Sequence, residues 1–346
     1  MSSIAGEFTA GALFGSALSA AGIYSPALIR AQMHLADFTM LKIFVAASAS
    51  GALAVHLADR LSFAPIKPRV PRYLGLFTYD GNLIGGALLG MGMALTGACP
   101  GTSLVQMASG LRSGLYVVLG GVAGGLAHLA LSPILHPKRD DAPTETTPLN
   151  KSASTSSAEE PTLQGSFGLS TNVLLLAWEV MCVLFIQLAN TLGGDEGSGA
   201  GLVTPIVGGC MIGGAQAATV LLTRHTIGVS TAYENAAQAI YSVVGLGGAA
   251  SRCTPSLVFA AGILSSSALV TRAAPQSAID AIVAGSGDVS AVSAFFGGLV
   301  MVFGARVAGG CTSGHGISGL VTFSWASFVS VAAMFGSGIL TAFFLG

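Results

Sequence analysis

The chain has 346 residues, 52% hydrophobic and 8% charged, with a mean hydropathy of +0.74 and a formal net charge of −1. A soluble globular domain carries about 25% charged residues, so most of this surface cannot face water, and the near-zero net charge excludes bulk attraction to nucleic acid. Aromatics at 7% and the lack of alternating strand patterns argue against a β-barrel, while 48 glycines suit close helix packing in lipid.

A membrane-spanning helix needs about 20 predominantly apolar residues. In chain order such segments are predicted at 8–24, 38–58, 82–98, 114–135, 173–191, 203–222, 255–274, 292–310 and 325–345. The N-terminal MSSIAGEF has neither a basic region nor a cleavage pattern, so the first segment is expected to stay as a span. Between the fourth and fifth segments, 136–168 is rich in Ser, Thr, Pro and charge and reads as a disordered hydrophilic linker. The expected organisation is a first transmembrane repeat at 1–135, the linker at 136–168, a connector transmembrane helix at 169–192 and a second repeat at 193–346. The fold class is an all-α membrane protein of about nine transmembrane helices.

The repeat rests on an ungapped overlay of LIGGALLGMGMALTGAC (83–99) on FFGGLVMVFGARVAGGC (295–311). Gly85, Gly86, Gly92, Gly97 and Cys99 fall on Gly297, Gly298, Gly304, Gly309 and Cys311. A fainter echo joins 11–22 to 205–216. Four segments per half with one connector between them force the second half to enter from the opposite side. Such inverted repeats are usual in secondary transporters, with the substrate site near the bilayer midplane. With the N-terminus cytoplasmic, that side carries Arg60, Lys67, Arg69, Arg72, Lys138, Arg139, Lys151, Arg224 and Arg252, against Arg30, Lys42, Arg112 and Arg272 opposite. The positive-inside rule therefore predicts N-in and C-out.

Each half breaks at its cysteine. The first break runs Thr96-Gly97-Ala98-Cys99-Pro100-Gly101-Thr102-Ser103, and the second Ala308-Gly309-Gly310-Cys311-Thr312-Ser313-Gly314-His315. Pro100 disfavours a helical Cys99, the glycines permit unusual backbone angles, and Thr102, Ser103, Thr312 or Ser313 can cap a new short helix. Broken backbone at membrane depth is tolerated only where protein or an aqueous cavity surrounds it, and a helix starting there aims N–H groups at an anion. A thiolate would repel that anion, so neutral thiols relaying it are the economical mechanism. Cys182, Cys210 and Cys253 have no matched partner and read as small buried residues, and no Cys-x-x-Cys pair suggests a metal or disulfide framework.

Arg306, five residues before Cys311, must face a cavity or a carboxylate, and Glu179 is one candidate partner. It contributes either to an anion-attracting field or to a structural ion pair. His315 either donates to the anion or caps the turn. Polar groups also gather at 221–241 (Arg224, His225, Thr226, Ser230, Thr231, Glu234) and at 22–35 (Tyr24, Ser25, Arg30, Gln32, His34), either reaching the same cavity or forming interfacial loops.

LLGMGMALTGACPGTS (88–103) and GARVAGGCTSGHGISGL (304–320), supported by 11–29 and 223–234, resemble the YeeE/YedE sulfur-transport family. The Ser/Thr/Pro-rich linker is similar to that of eukaryotic, fungal-type members. The resemblance implies an hourglass-shaped inverted repeat whose loops dip to mid-membrane and pass thiosulfate between cysteines by S–H···S contacts. Carried over, it gives Cys99 and Cys311 as relay positions, with Gly97, Gly309, Gly310, Thr102, Thr312, Ser313, His315 and Arg306 around the substrate. Bacterial members carry a further cysteine after the first span, where this chain reads Gly22-Ile23-Tyr24-Ser25-Pro26.

The expected function is transport of a small sulfur oxyanion, most simply thiosulfate, by a multi-pass protein of the plasma membrane. The lipid bilayer surrounds it, a cytoplasmic sulfur-carrier protein is a candidate partner, and no cofactor, metal or nucleic acid is called for. A membrane thiol oxidoreductase and a passive small-anion channel are the alternatives. No Gly-x-x-x-x-Gly-Lys-Ser/Thr run offers a nucleotide site.

Overall fold

The computed structural model describes residues 3–63, 66–135, 162–192, 201–243, 254–285 and 289–345. These are almost wholly helical. The first half contains α1 (Ile4–Ala20), α2 (Pro26–Met33), α3 (Thr39–Arg60), α4 (Asp80–Thr96), α5 (Pro100–Ala108) and α6 (Arg112–Leu135). A short α7 (Leu163–Phe167) and the long α8 (Thr171–Leu192) follow. The second half contains α9 (Pro205–Thr223), α10 (Ser230–Val243), α11 (Pro255–Ala273), α12 (Gln276–Gly285), α13 (Ala291–Val307), a wide helical turn at Thr312–Ile317, a 3₁₀ turn at Leu320–Thr322, and α14 (Trp325–Leu345).

Among the described residues, seven helices are long and apolar enough to cross a membrane, or eight if α13 and the turns after it, bent by 41°, form one span. The α4–α5 pair counts as one of the seven, and α1, at 17 residues, is not among them. Nine segments were expected from hydropathy. The two that fall short are 8–24 and 292–310, whose helices α1 and α13 are each only 17 residues long.

The packing of one half recurs in the other. α1 lies along α11 as α9 lies along α3, and α4 lies along α14 as α13 lies along α6. α4 also crosses α13, and α1 crosses α9. At the α4–α13 crossing the aligned glycines meet reciprocally. A β-carbon at Gly85 would stand 2.6 Å from the Gly304 carbonyl oxygen, and one at Gly92 would stand 2.6 Å from that of Gly297. Only hydrogen at these positions lets the backbones come so near, which is how helices associate where lipid removes the hydrophobic driving force.

α8 packs on α3 and stands outside this exchange. Between α2, α3, α8 and α14 lies an apolar cavity of about 310 Å³, lined in part by Gln32, Phe44, Ser48, Trp178, Cys182 and Phe335. It contains neither Cys99 nor Cys311. The expected linker is described only at its end: α7 docks there through Leu163 N–H to Phe323 O (2.9 Å) and Trp325 Nε1 to Ser166 Oγ (2.8 Å). Phe167 of α7 also packs its ring against Trp325. Residues 136–161 lie outside the described residues.

Candidate functional site

Four helices are interrupted by a left-handed residue: Gly22 (φ 70°), Gly97 (φ 61°), Arg224 (φ 60°) and Gly309 (φ 79°). At Gly97 a β-carbon would stand 2.6 Å from the carbonyl oxygen of Pro26, so the first two breaks press directly together. Gln106 on α5 clasps them, its Nε2 donating to Tyr24 O and Gly97 O, both at 2.9 Å.

Cys99, in extended geometry, is the N-cap of α5. Thr102 N–H donates to its Sγ at 3.4 Å, and Cys99 N–H donates back to Thr102 Oγ1 at 2.7 Å. This is a capping box in which a thiol replaces the usual hydroxyl, and Pro100 at the first helical position needs no N–H partner. The sulfur is thus held as an acceptor, which leaves its own S–H to donate. Cys311 caps the following turn in the same extended geometry. Its Sγ lies 3.2 Å from Ser313 Oγ, with Ser230 of α10 and the Gly314 backbone close by.

α10 links the two breaks. Ser230 at its start meets Cys311, while the Tyr233 hydroxyl, one turn on, lies 2.7 Å from Ser103 Oγ and 3.1 Å from the Pro100 carbonyl beside Cys99. Both thiols and the Tyr233 hydroxyl are buried and near enough to influence one another electrostatically. The third break joins them through Ser318 Oγ, which donates to Ile227 O at 3.0 Å. Of the two readings left open for 22–35 and 221–241, both segments reach the interior through Tyr24 and Ser230, whereas Arg224 turns out over Phe63.

The remaining expected residues divide. Thr312 donates to the sulfurs of Met93 and Met334, each at 3.4 Å, which lines the turn with soft atoms. Gly310 leaves room for the His315 ring, 2.8 Å from where a β-carbon would sit. His315 Nε2 is 3.0 Å from the Ala308 carbonyl, which can only accept, so Nε2 carries the hydrogen and Nδ1 accepts from Ser327 Oγ at 3.1 Å. His315 therefore caps the turn. Arg306 forms an ion pair with Glu234 of α10, not with Glu179. Cys182 is buried, Cys210 is exposed rather than buried as expected, and Cys253 lies outside the described residues.

Two residues read only as loop charges enter the site. The extended segment 66–79 folds back because Asp80 accepts N–H bonds from Leu74 and Leu76 (2.7 Å each), Asn82 Oδ1 accepts from Arg72 N–H at 2.8 Å, and Ser324 Oγ donates to Arg69 O at 2.6 Å. Arg72 then lies against Gly309, and Arg69 Nη2 comes within 3.5 Å of a β-carbon position on Gly314 and 3.8 Å of one on Gly228. Two guanidinium groups thus border the Cys311 turn.

The sequence model described as "Sulphur transport" matches residues 20–340, a span holding all four breaks and both thiols. The chain belongs to this sulphur transport family. Over 49 residues this family member is 47% identical to a "Probable transporter" of Xylella fastidiosa strain 9a5c and, at the same identity, to one of strain Temecula1 / ATCC 700964. The aligned stretch is 14% of this chain and 36% of each relative, so the chain spans about a third of the length of the curated relatives it matches. Family membership and the apolar helices make it a multi-pass membrane protein of that family.

Proposed function

We propose that the protein carries a small sulfur oxyanion, thiosulfate in the first instance, across the plasma membrane, handing it between Cys99 and Cys311 as neutral thiols at the centre of an inverted repeat. The observation that carries this reading is the convergence of two cysteine-capped helix breaks on one short helix, α10, which touches both. The reciprocal Gly85–Gly304 and Gly92–Gly297 approaches support the inverted repeat, since interchange of equivalent residues at a contact is the mark of a two-fold relation.

The chemistry suits a sulfur-bearing anion. Thiols, with Met93 and Met334 nearby, offer soft, polarizable contacts. Neutral hydrogen bonds are worth about 0.5–1.5 kcal/mol net each, weak enough that a chain of such sites lets the ion leave as well as enter. Arg69 and Arg72 border one mouth and concentrate the anion there, where a soluble sulfur-carrier protein is the natural acceptor or donor. Cys99→Ala or Cys311→Ala is expected to abolish thiosulfate uptake in cells lacking their own sulfur uptake, at unchanged protein level; full uptake by both variants would refute the relay.

A further inference from the structure

The relay described above does not use the apolar cavity between α2, α3, α8 and α14. Its volume of about 310 Å³ reaches the size of a small-molecule site. No charged side chain is among the described residues that line it, so an oxyanion finds no counter-charge there. Phe44 and Leu320 form its wall on the side of the Cys311 turn, with the Phe44 ring packed on Gly316. The lining is otherwise hydrocarbon, thioether and aromatic ring, except where Gln32, Ser48, Trp178 and Cys182 stand.

Three of those polar groups are left unanswered. Trp178 Nε1, Ser48 Oγ and Gln32 Oε1 are shut from solvent with no hydrogen-bond partner among the described residues. All three residues are more than nine-tenths buried. Unpaired buried polar atoms are costly, and an apolar cavity stays dry, so a ligand has to supply their partners. The Trp178 indole can only donate, the Ser48 hydroxyl and Cys182 thiol can donate, and a half-turn of the Gln32 amide offers its N–H groups. Such a ligand presents acceptors. Ser48 is the tenth of 22 residues in α3 and Trp178 the eighth of 22 in α8, both well inside their spans. The acceptors therefore sit at a depth from which phospholipid heads and sterol hydroxyls, held at the interface, are excluded.

We propose that this cavity binds an isoprenoid quinone, with the ring received by Ser48 of α3 and Trp178 of α8. A quinone is uncharged, carries two carbonyl acceptors and no donor, and moves within the bilayer interior. Phe44 and Phe335, edge to face at 5.5 Å, supply aromatic surface for its ring. Trp178 is held by Phe323 at 6.4 Å and Phe328 at 5.8 Å, so its N–H is presented by a fixed ring. The isoprenoid tail leaves toward lipid past Leu35 and Phe185, which are 54% and 45% exposed. No bond of the quinone changes in this binding. The inference goes beyond the transport reading and stands without it.

The chain has two tryptophans, Trp178 and Trp325, so each can be left as the sole fluorophore. The test titrates decylubiquinone, a quencher of indole fluorescence, into purified full-length protein in liposomes. With Trp325→Phe, quenching of Trp178 should saturate at one quinone per chain. With Trp178→Phe, quenching of Trp325 should rise linearly without saturating. Adding Ser48→Val to the first variant should raise the half-quenching concentration by about two- to tenfold, the loss of one neutral hydrogen bond. Adding Val331→Phe, which fills the cavity, should abolish saturation while the protein still elutes as a monodisperse species. Linear quenching of Trp178, equal to that of Trp325, would overturn the site, and needs no cavity variant to fold. A thermal midpoint of the wild type raised by a sterol or a diacylglycerol, and not by decylubiquinone, would give the cavity to a hydroxyl lipid and overturn the quinone.

Discussion

Gly97 shows how much a single hydrogen atom can decide. Its φ of 61° lies where other residues are strained, and any β-carbon would meet the Pro26 carbonyl at 2.6 Å. Gly97→Ala should therefore cost about 1–3 kcal/mol, read as a lowered thermal midpoint in detergent, and should separate the first two breaks. The residues of the cysteine turns were legible because their grammar is local: Pro100 ends the helical geometry before it, Thr102 caps, and glycine supplies the turn. His315 was ambiguous because its choice between substrate and carbonyl depends on Ala308 and Ser327, whose approach no local pattern records. Arg306 was recognisable as needing a partner, but three elements had to pack before Glu234 rather than Glu179 supplied it.

Short helices do the positioning. α5 and α10 are each held by side chains from elsewhere, so their function should fail before their fold does. Tyr233→Phe removes one buried hydroxyl and leaves Ser103 and the Pro100 carbonyl without it, an expected cost of about 1–3 kcal/mol. Uptake should fall markedly in this variant while the protein still purifies as a monodisperse species. The segment 66–79 acts differently, presenting charge rather than rigidity. Arg69→Gln with Arg72→Gln should raise the apparent KM for thiosulfate about tenfold, equivalent to 1.4 kcal/mol, with Lys at both positions restoring part of the loss. Uptake kinetics that leave KM unchanged would remove these arginines from the mouth. Their role was hidden in the sequence because loop charges signal only sidedness, and the fold-back depends on Asp80, Asn82 and Ser324.

Across the whole molecule, the two halves exchange helices: α1 with α11, α9 with α3, α4 with α14, α13 with α6. Neither half encloses the breaks alone, so stability and site geometry belong to the intertwined pair. The reading with the N-terminus inside places Ala36 and Leu76, both exposed, on opposite faces of the membrane. With Cys210 replaced by Ser, Ala36→Cys should react with an impermeant thiol reagent on intact cells and Leu76→Cys only after permeabilisation. The reverse pattern would invert the protein and move the arginine-bordered mouth to the outside.

Composition alone determined that the chain lives in lipid, and the register of Gly85, Gly92, Gly97 and Cys99 on Gly297, Gly304, Gly309 and Cys311 determined that two breaks share one design. Both are additive or periodic properties, carried by residues near one another along the chain. Only the tertiary structure decided that the four breaks meet, that α10 bridges the thiols, and that Glu234, Arg306 and His128 form one cluster. Those contacts join residues distant along the chain, and they exist only because glycine-lined helices approach closely enough to bring their interruptions to one place.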